Sequence, residues 1–558
     1  MSAAPSNSPP SHDRPWLGLY APGQPAEMRP QFSSMLDLFE ASLAAAPGCA
    51  IVRYFDGGLN LRELDQAASA LAHALQARGF AAGDRLALYT QNNPAFVIGL
   101  VAAWKLGGIA VPVNPMNRQR ELHYILHNAG AQALLCLDQL YLDVAREVHA
   151  AGGLPLATVV TTSALDWQTR GDARVLGDGP RLPVADGTLD LLALVQAGGQ
   201  PAPLARRPTA GDTAVITYTS GTTGQPKGAM NTHGNLAFNA QTYRDWIGIT
   251  ADDSVLGLAP LFHITGLVGH VALALLVPCP LVLSHRFHPE TMLESMREHR
   301  PSFTIGAITA FVALMNHPGV SREDFRSFKA LYSGGAPIAP AVIQAFEQLS
   351  GLAIHNAFGM TETCSPTHFV PLGARAPVDP ASGALSIGVP VYGTVVRIID
   401  DQHREAAPGE IGEIVSAGPQ IMSGYWNLPE ATADAMFEGG LRTGDVGFMD
   451  ERGWFYLVDR KKDMINAAGY KVWPREVEDV LYTHPAVREA AVIGMPDDYR
   501  GETVKAVVSL KAGRQAAPEE LIAHCKAHMA AYKVPRIVEL REELPKTVTG
   551  KILRRQLR

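Results

Sequence analysis

The run from Tyr218 to Gly228, read Tyr-Thr-Ser-Gly-Thr-Thr-Gly-Gln-Pro-Lys-Gly, constrains this chain more than any other stretch. It gathers small hydroxyl residues, three glycines and one lysine within eleven positions. Glycine lets a backbone approach a ligand closely and adopt conformations closed to other residues. N–H groups and hydroxyls can then line a concavity for phosphate oxygens, and Lys227 adds a point charge. The apolar Ala214-Val215-Ile216 ahead of it reads as a buried strand feeding a loop. The spacing is not that of a Walker A loop, in which Gly-Lys-Ser/Thr follows four spacer residues.

This run resembles the phosphate-loop signature of the acyl-adenylate-forming superfamily, the AMP-binding enzymes, and especially bacterial medium- and long-chain fatty-acid–CoA ligases. Five further motifs stand in the superfamily's order, and the resemblance covers residues 15 to 558. From the loop it implies nucleotide contacts by Thr219, Ser220, Gly221, Thr222, Thr223, Gly224 and Lys227. In Asn356-Ala357-Phe358-Gly359-Met360-Thr361-Glu362 it makes Asn356, Ala357 and Gly359 part of the nucleotide pocket. There Phe358 packs on adenine, Thr361 meets the α-phosphate and Glu362 binds Mg²⁺. Most members carry Tyr where this chain has Phe358; stacking uses the ring face, so the lost hydroxyl matters little. A carboxylate beside a hydroxyl is also what one Mg²⁺ shared with phosphate oxygens requires. Taken alone, the same Thr-Glu pair reads as a helix cap.

Gly334, Gly335 and Ala336 correspond to a wall of the adenine and acyl pocket. Asp445, just after a glycine turn, and Arg460 correspond to the ribose contacts; acids hold ribose hydroxyls in dinucleotide sites too. His263, alone among apolar neighbours, corresponds to a residue that shields or orients the substrate carboxylate. It is not expected to act as a base, because a carboxylate is already ionised at neutral pH. Lys551 corresponds to the mobile lysine that reaches the α-phosphate during adenylation. Lys462 corresponds to the hinge, and Gly469 lies in the loop that enters the site when the small domain rotates. Lys546 reads as surface. Some CoA ligases carry lysine where this chain has Asn466 or Ala468.

The implied fold is α/β: a large N-terminal domain of parallel, helix-covered sheets with a small barrel-like region, and a small mobile α+β C-terminal domain. Expected boundaries are a disordered Ser/Pro-rich tail at 1–14, a large domain at 15–458, a hinge at 459–462 and a small domain at 463–558. Local patterns agree. Asn60 caps a helix with Leu61, Leu64, Ala68, Leu71 and Leu75 on one face, ended by Gly79. Strands are expected at 85–89, 109–113 and 133–137, helices from Pro94 and over 121–126. Residues 150–210, rich in Gly, Pro, Asp and Ala, read as a loop-rich connection with a helical patch near 189–195. In the last hundred residues, 475–481 and 518–529 read as helices, 490–493 and 504–510 as strands.

The implied reaction converts a carboxylic acid and ATP to acyl-AMP and pyrophosphate, then uses CoA to give acyl-CoA and AMP, with Mg²⁺ required. The acid is expected to carry an apolar tail, a medium- or long-chain fatty acid first. An aryl or arylalkanoic acid, and an acyl-AMP ligase loading a separate carrier protein, are the alternatives; a non-catalytic nucleotide binder is a third class. The chain stops seven residues after Lys551 with no carrier domain, which favours free CoA.

A net charge of −7 without a basic block argues against nucleic acid. Five scattered cysteines fit a cytoplasmic location. The apolar stretch 264–284 is interrupted by Pro278 and Pro280 and reads as a buried helix and strand, so no transmembrane segment is expected. Peripheral membrane contact and a homodimer complete the expected partners.

Overall fold

The computed structural model describes residues 14–219, 225–336, 338–380, 383–460, 463–467, 470–497, 501–547 and 552–557. Strand-helix alternation builds two large sheets. One runs in the order Leu189–Asp190, Thr158–Thr162, Ala133–Leu137, Arg85–Tyr89, Ile109–Pro112, Thr213–Tyr218 and Gly228–Thr232. All its pairings are parallel except the last. The other contains the parallel strands Val255–Leu256, Phe303–Gly306, Ala330–Gly334 and Ile354–Phe358, with Val52–Tyr54 and Leu281–Leu283 towards one edge.

At His368–Phe369 that second sheet turns antiparallel. It continues through Ser386–Pro390, Phe455–Arg460, Gly440–Met449, Gly412–Ala417 and Val395–Ile399. The region expected as barrel-like is therefore hydrogen-bonded onto the edge of the parallel sheet. A third sheet, with Ile465–Ala467, Val487–Asp497 and Gly501–Leu510, carries the helices Pro474–Tyr482 and Pro518–His528 over its own core of Ile465, Val477, Leu481, Val492 and Leu521.

Local sequence explains the elements that flank the site. Asn60 accepts from the Glu63 N–H, and Glu63 returns the bond to the Asn60 N–H, starting the helix Leu61–Gln76. The helix Pro94–Lys105 begins on Pro94 with Asn93 as cap and is buried on every side from Pro94 to Trp104. It has no polar stripe because it lies wholly within the protein core.

Two local expectations change. Residues 150–210 are not merely a connection: Thr158–Thr162 is a fully buried strand, in parallel register with Ala133–Leu137. Its β-branched run Thr-Val-Val-Thr-Thr carried that signal. Gly444-Asp445 does not follow a turn but lies inside the ten-residue strand Gly440–Met449, where Gly444 takes φ +70. The stretch 264–284 is helical from Ile264 to Leu276, with a widened π turn at Leu267–Ala272, followed by the strand Leu281–Leu283. Among the described residues, no helix is long and apolar enough to cross a membrane.

Candidate active site

Parallel strands leave their carboxyl ends open as a crevice. Two of them end side by side here, with Ser333 opposite Asn356 and Gly334 opposite Ala357. That register joins two motifs twenty residues apart into one wall: Gly334-Gly335-Ala336 beside Asn356-Ala357-Phe358-Gly359. A Cβ on Gly334 would stand 2.8 Å from the Ala357 carbonyl oxygen, so the close approach needs glycine. Gly335 takes φ +82. Asn356 is buried and donates to the Ser386 carbonyl at 3.1 Å. Half-buried Phe358 meets the edge of His368, ring centres 5.4 Å apart. Burial pushes the His368 imidazole down to about 3, so this neighbour is neutral. The wall borders a cavity of about 250 Å³ whose lining also includes Asp445, Thr547 and Arg554.

Thr361 and Glu362 form a short 3₁₀ turn after Phe358. Asn231 donates to the Thr361 carbonyl at 3.0 Å, and the Met422 N–H to the Glu362 carbonyl at 2.9 Å. Asn239 holds the next stretch by donating to the Cys364 carbonyl at 2.8 Å. The buried Glu362 carboxylate accepts the Tyr425 hydroxyl at 2.7 Å through Oε1. Burial and the Glu362 charge both raise the Tyr425 phenol, keeping it a donor. One hard carboxylate beside a threonine hydroxyl fits Mg²⁺, which binds through few protein oxygens plus water and substrate phosphates.

The two flanks of the Gly/Thr-rich run are antiparallel strands. Tyr218 pairs with Gly228 across antiparallel strands, and the Thr219 N–H donates to the Lys227 carbonyl at 2.9 Å. Ser220, Gly221, Thr222, Thr223 and Gly224 lie outside the described residues. Lys227 extends its ammonium over the Tyr425 ring, 4.8 Å from the centre. The hairpin is fastened to the segment bearing that tyrosine: the Trp426 N–H donates to the Gly228 carbonyl at 2.7 Å, and the Met230 N–H to the Gly424 carbonyl at 2.9 Å.

Asp445 is buried and stands directly opposite Arg460 on adjacent antiparallel strands. The side chain of Arg460 lies outside the described atoms, as do Lys462, Gly469 and Lys551 altogether. His263 caps the helical stretch at Ile264, its Nδ1 accepting from the Thr265 N–H at 3.3 Å. It is not among the residues lining the cavity beside Phe358. Lys546, expected as surface, is exposed, and its ammonium forms an ion pair with the buried Glu489 at 2.6 Å beside a bridge to Ile552.

Four contributors were not singled out from sequence. Tyr425 sits in Gly424-Tyr425-Trp426-Asn427, an aromatic cluster with no chemistry of its own to mark it. Asn231 and Asn239 are amides on or near a helix, where polar residues usually face solvent. Arg554 stands next to Arg555 with no motif around it, and it donates to Asp459 at 3.2 Å and to Glu478 at 2.8 Å.

Comparison with known proteins agrees with this geometry. The AMP-binding enzyme family model matches residues 39–426, and the AMP-binding enzyme C-terminal domain matches 476–551. A long-chain-fatty-acid–CoA ligase of Bacillus subtilis is 36% identical over 556 residues, covering 98% of this chain and 97% of that protein. A feruloyl-CoA synthase of an Amycolatopsis species is 36% identical over 514 residues, covering 92% and 96%. Among solved structures, the anthranilate CoA ligase AuaEII with anthranoyl-AMP superposes with a TM-score of 0.84 at 27% identity, over 96% of this chain and 97% of its own. With both models matched in order and a relative aligned end to end, the chain belongs to the AMP-binding enzyme family.

Proposed function

We propose that the protein is an ATP-dependent carboxylic acid–CoA ligase. The observation that carries the reading is one cavity bordered by Gly335 and Ala336, by Asn356 to Gly359, by Asp445, and by Thr547 and Arg554. Relatives named long-chain-fatty-acid–CoA ligase and feruloyl-CoA synthase, aligned over 98% and 92% of the chain, support it.

In the proposed reaction a carboxylate oxygen attacks the α-phosphorus of ATP. The new P–O bond forms as the bond to pyrophosphate breaks. The CoA sulfur, having lost its proton, then attacks the acyl carbon and AMP leaves with the former carboxylate oxygen. Phe358 stacks on the base, Asp445 and Arg460 hold the ribose, and the Thr219–Gly224 run with Lys227 cradles phosphate oxygens. Thr361 meets the α-phosphate, and Glu362 is the carboxylate for Mg²⁺, whose charge, when bound, offsets that of the phosphate oxygens. Lys551 brings a cation to the pentacoordinate phosphorus, where charge builds only in the transition state. His263 orients the acid. Rotation of residues 463–558 about the hinge 459–462, centred on Lys462, exchanges Lys551 for the loop carrying Gly469.

The acid is proposed to be a medium- or long-chain fatty acid, since a second charge would be left unpaired against the apolar stretch 264–277. An aryl acid is the second reading, favoured by the anthranoyl-AMP complex of a close structural neighbour. The five cysteines, none disulfide-linked, support a cytoplasmic location.

The test is mass spectrometry of protein, Mg·ATP and CoA with fatty acids of graded length and several aryl acids. Thioester and AMP with one class of acid are expected. Acyl-AMP without thioester would overturn CoA as acceptor and point to a carrier protein.

A further inference from the structure

Tyr425 touches two groups that the proposed function treats separately. Its hydroxyl donates to Glu362 Oε1 at 2.7 Å, while its ring lies 4.8 Å from the Lys227 ammonium. Its backbone joins the same construction. Tyr425 bridges Ala229 on the hairpin strand, and its N–H donates to Thr432 Oγ1 at 2.9 Å. Hydroxyl, ring and backbone are therefore each held by a separate contact. Hydroxyl groups that bond a metal-bearing carboxylate set its orientation. An aromatic face attracts an ammonium group through its quadrupole.

We propose that Tyr425 is a positioning residue that couples the metal carboxylate to the phosphate lysine, setting the Glu362 carboxylate and the Lys227 ammonium at a common spacing for one Mg·triphosphate. The proposal rests on the reading of Glu362 as the metal carboxylate and Lys227 as a phosphate contact. The two halves of the tyrosine have separable duties. The hydroxyl governs the metal, and the ring governs the lysine.

The experiment is equilibrium binding of a non-hydrolysable ATP analogue, with no acid or CoA present, titrated with Mg²⁺ and repeated in EDTA. Tyr425→Phe keeps the ring and removes the hydroxyl. The Mg²⁺ concentration for half-maximal binding should rise about tenfold, with binding in EDTA unchanged. Tyr425→Leu removes both, and should lose affinity in EDTA as well. Lys227→Ala should reproduce that EDTA loss, and combining it with Tyr425→Leu should add little.

Glu362→Gln separates the proposal from the reading beneath it. If Glu362→Gln leaves the Mg²⁺ dependence unchanged, the metal role of Glu362 falls. If Glu362→Gln shifts it and Tyr425→Phe does not, the positioning role of Tyr425 is overturned while the metal reading stands. Equal losses for Tyr425→Phe in Mg²⁺ and in EDTA would indicate general loosening and also overturn the proposal.

Discussion

Arg554 and Glu478 form a two-pronged ion pair, with Nη2 lying 2.8 and 2.9 Å from the two carboxylate oxygens. The other prong of the guanidinium reaches Asp459 Oδ1 at 3.2 Å. Asp459 Oδ2 in turn accepts the Arg475 N–H at 3.1 Å. Asp459 lies on the strand Phe455–Arg460, whereas Glu478 and Arg475 lie on the helix Pro474–Tyr482. The cluster thus ties Arg554 to both that strand and that helix.

Burial raises the Glu478 carboxyl above its ordinary range even with Arg554 beside it. Its contribution to stability is therefore full at acid pH and is lost as pH rises through the folded value. Arg554→Gln raises that value further and strands a buried carboxylate, with an expected loss of about 3 kcal/mol near neutrality. Denaturant unfolding at several pH values should show this deficit growing as pH rises from the carboxylate range. A deficit independent of pH would refute the cause.

Lys551→Ala should slow acyl-AMP formation by about a hundredfold or more. Thioester formation from supplied acyl-AMP should change far less. Lys462→Pro should show the opposite split, because a stiffened hinge traps one domain orientation. Rapid-quench measurement of the two half-reactions decides both; parallel losses in either variant would remove the assigned role.

Gly334→Val places a branched side chain where a Cβ already meets the Ala357 carbonyl at 2.8 Å. Nucleotide affinity should fall more than about tenfold, because relieving the clash moves the strand end that forms the wall. Calorimetry with AMP would test it. Unchanged affinity would show that the wall does not contact the nucleotide.

Four buried histidines are held neutral. Desolvation lowers His233 and His270 to about 4, and His285 and His368 to about 3. Depressed folded values mean that stability is full above the ordinary imidazole range and is lost as pH falls towards these values. His270, whose Nε2 lies 3.0 Å from the Ile305 carbonyl, is the simplest to isolate. Denaturation midpoints should drop as pH falls below about 6.5, and His270→Gln should flatten that slope by about one proton. A midpoint flat between about pH 7 and 5 would contradict it.

The sequence by itself determined most of the elements and nominated most residues of the candidate site. The cap at Asn60, the Pro94 helix start and the strand Ala133–Leu137 are local matters of spacing and capping, legible within a few residues. The ordered motifs nominated Asp445, Glu362 and the two segments that form the cavity wall, because close backbone approach and charge demand particular residue types wherever they fall. Only the tertiary structure decided what depends on contact between distant segments. The pairing of Gly334 with Ala357 and of Asp445 with Arg460 is set by strand register. The pairing of Lys546 with Glu489, and the placing of Tyr425 between Glu362 and Lys227, follow from packing between segments far apart in the chain. A tyrosine or a lysine has no pattern of its own that announces such a partner, since the partner's position comes from the fold.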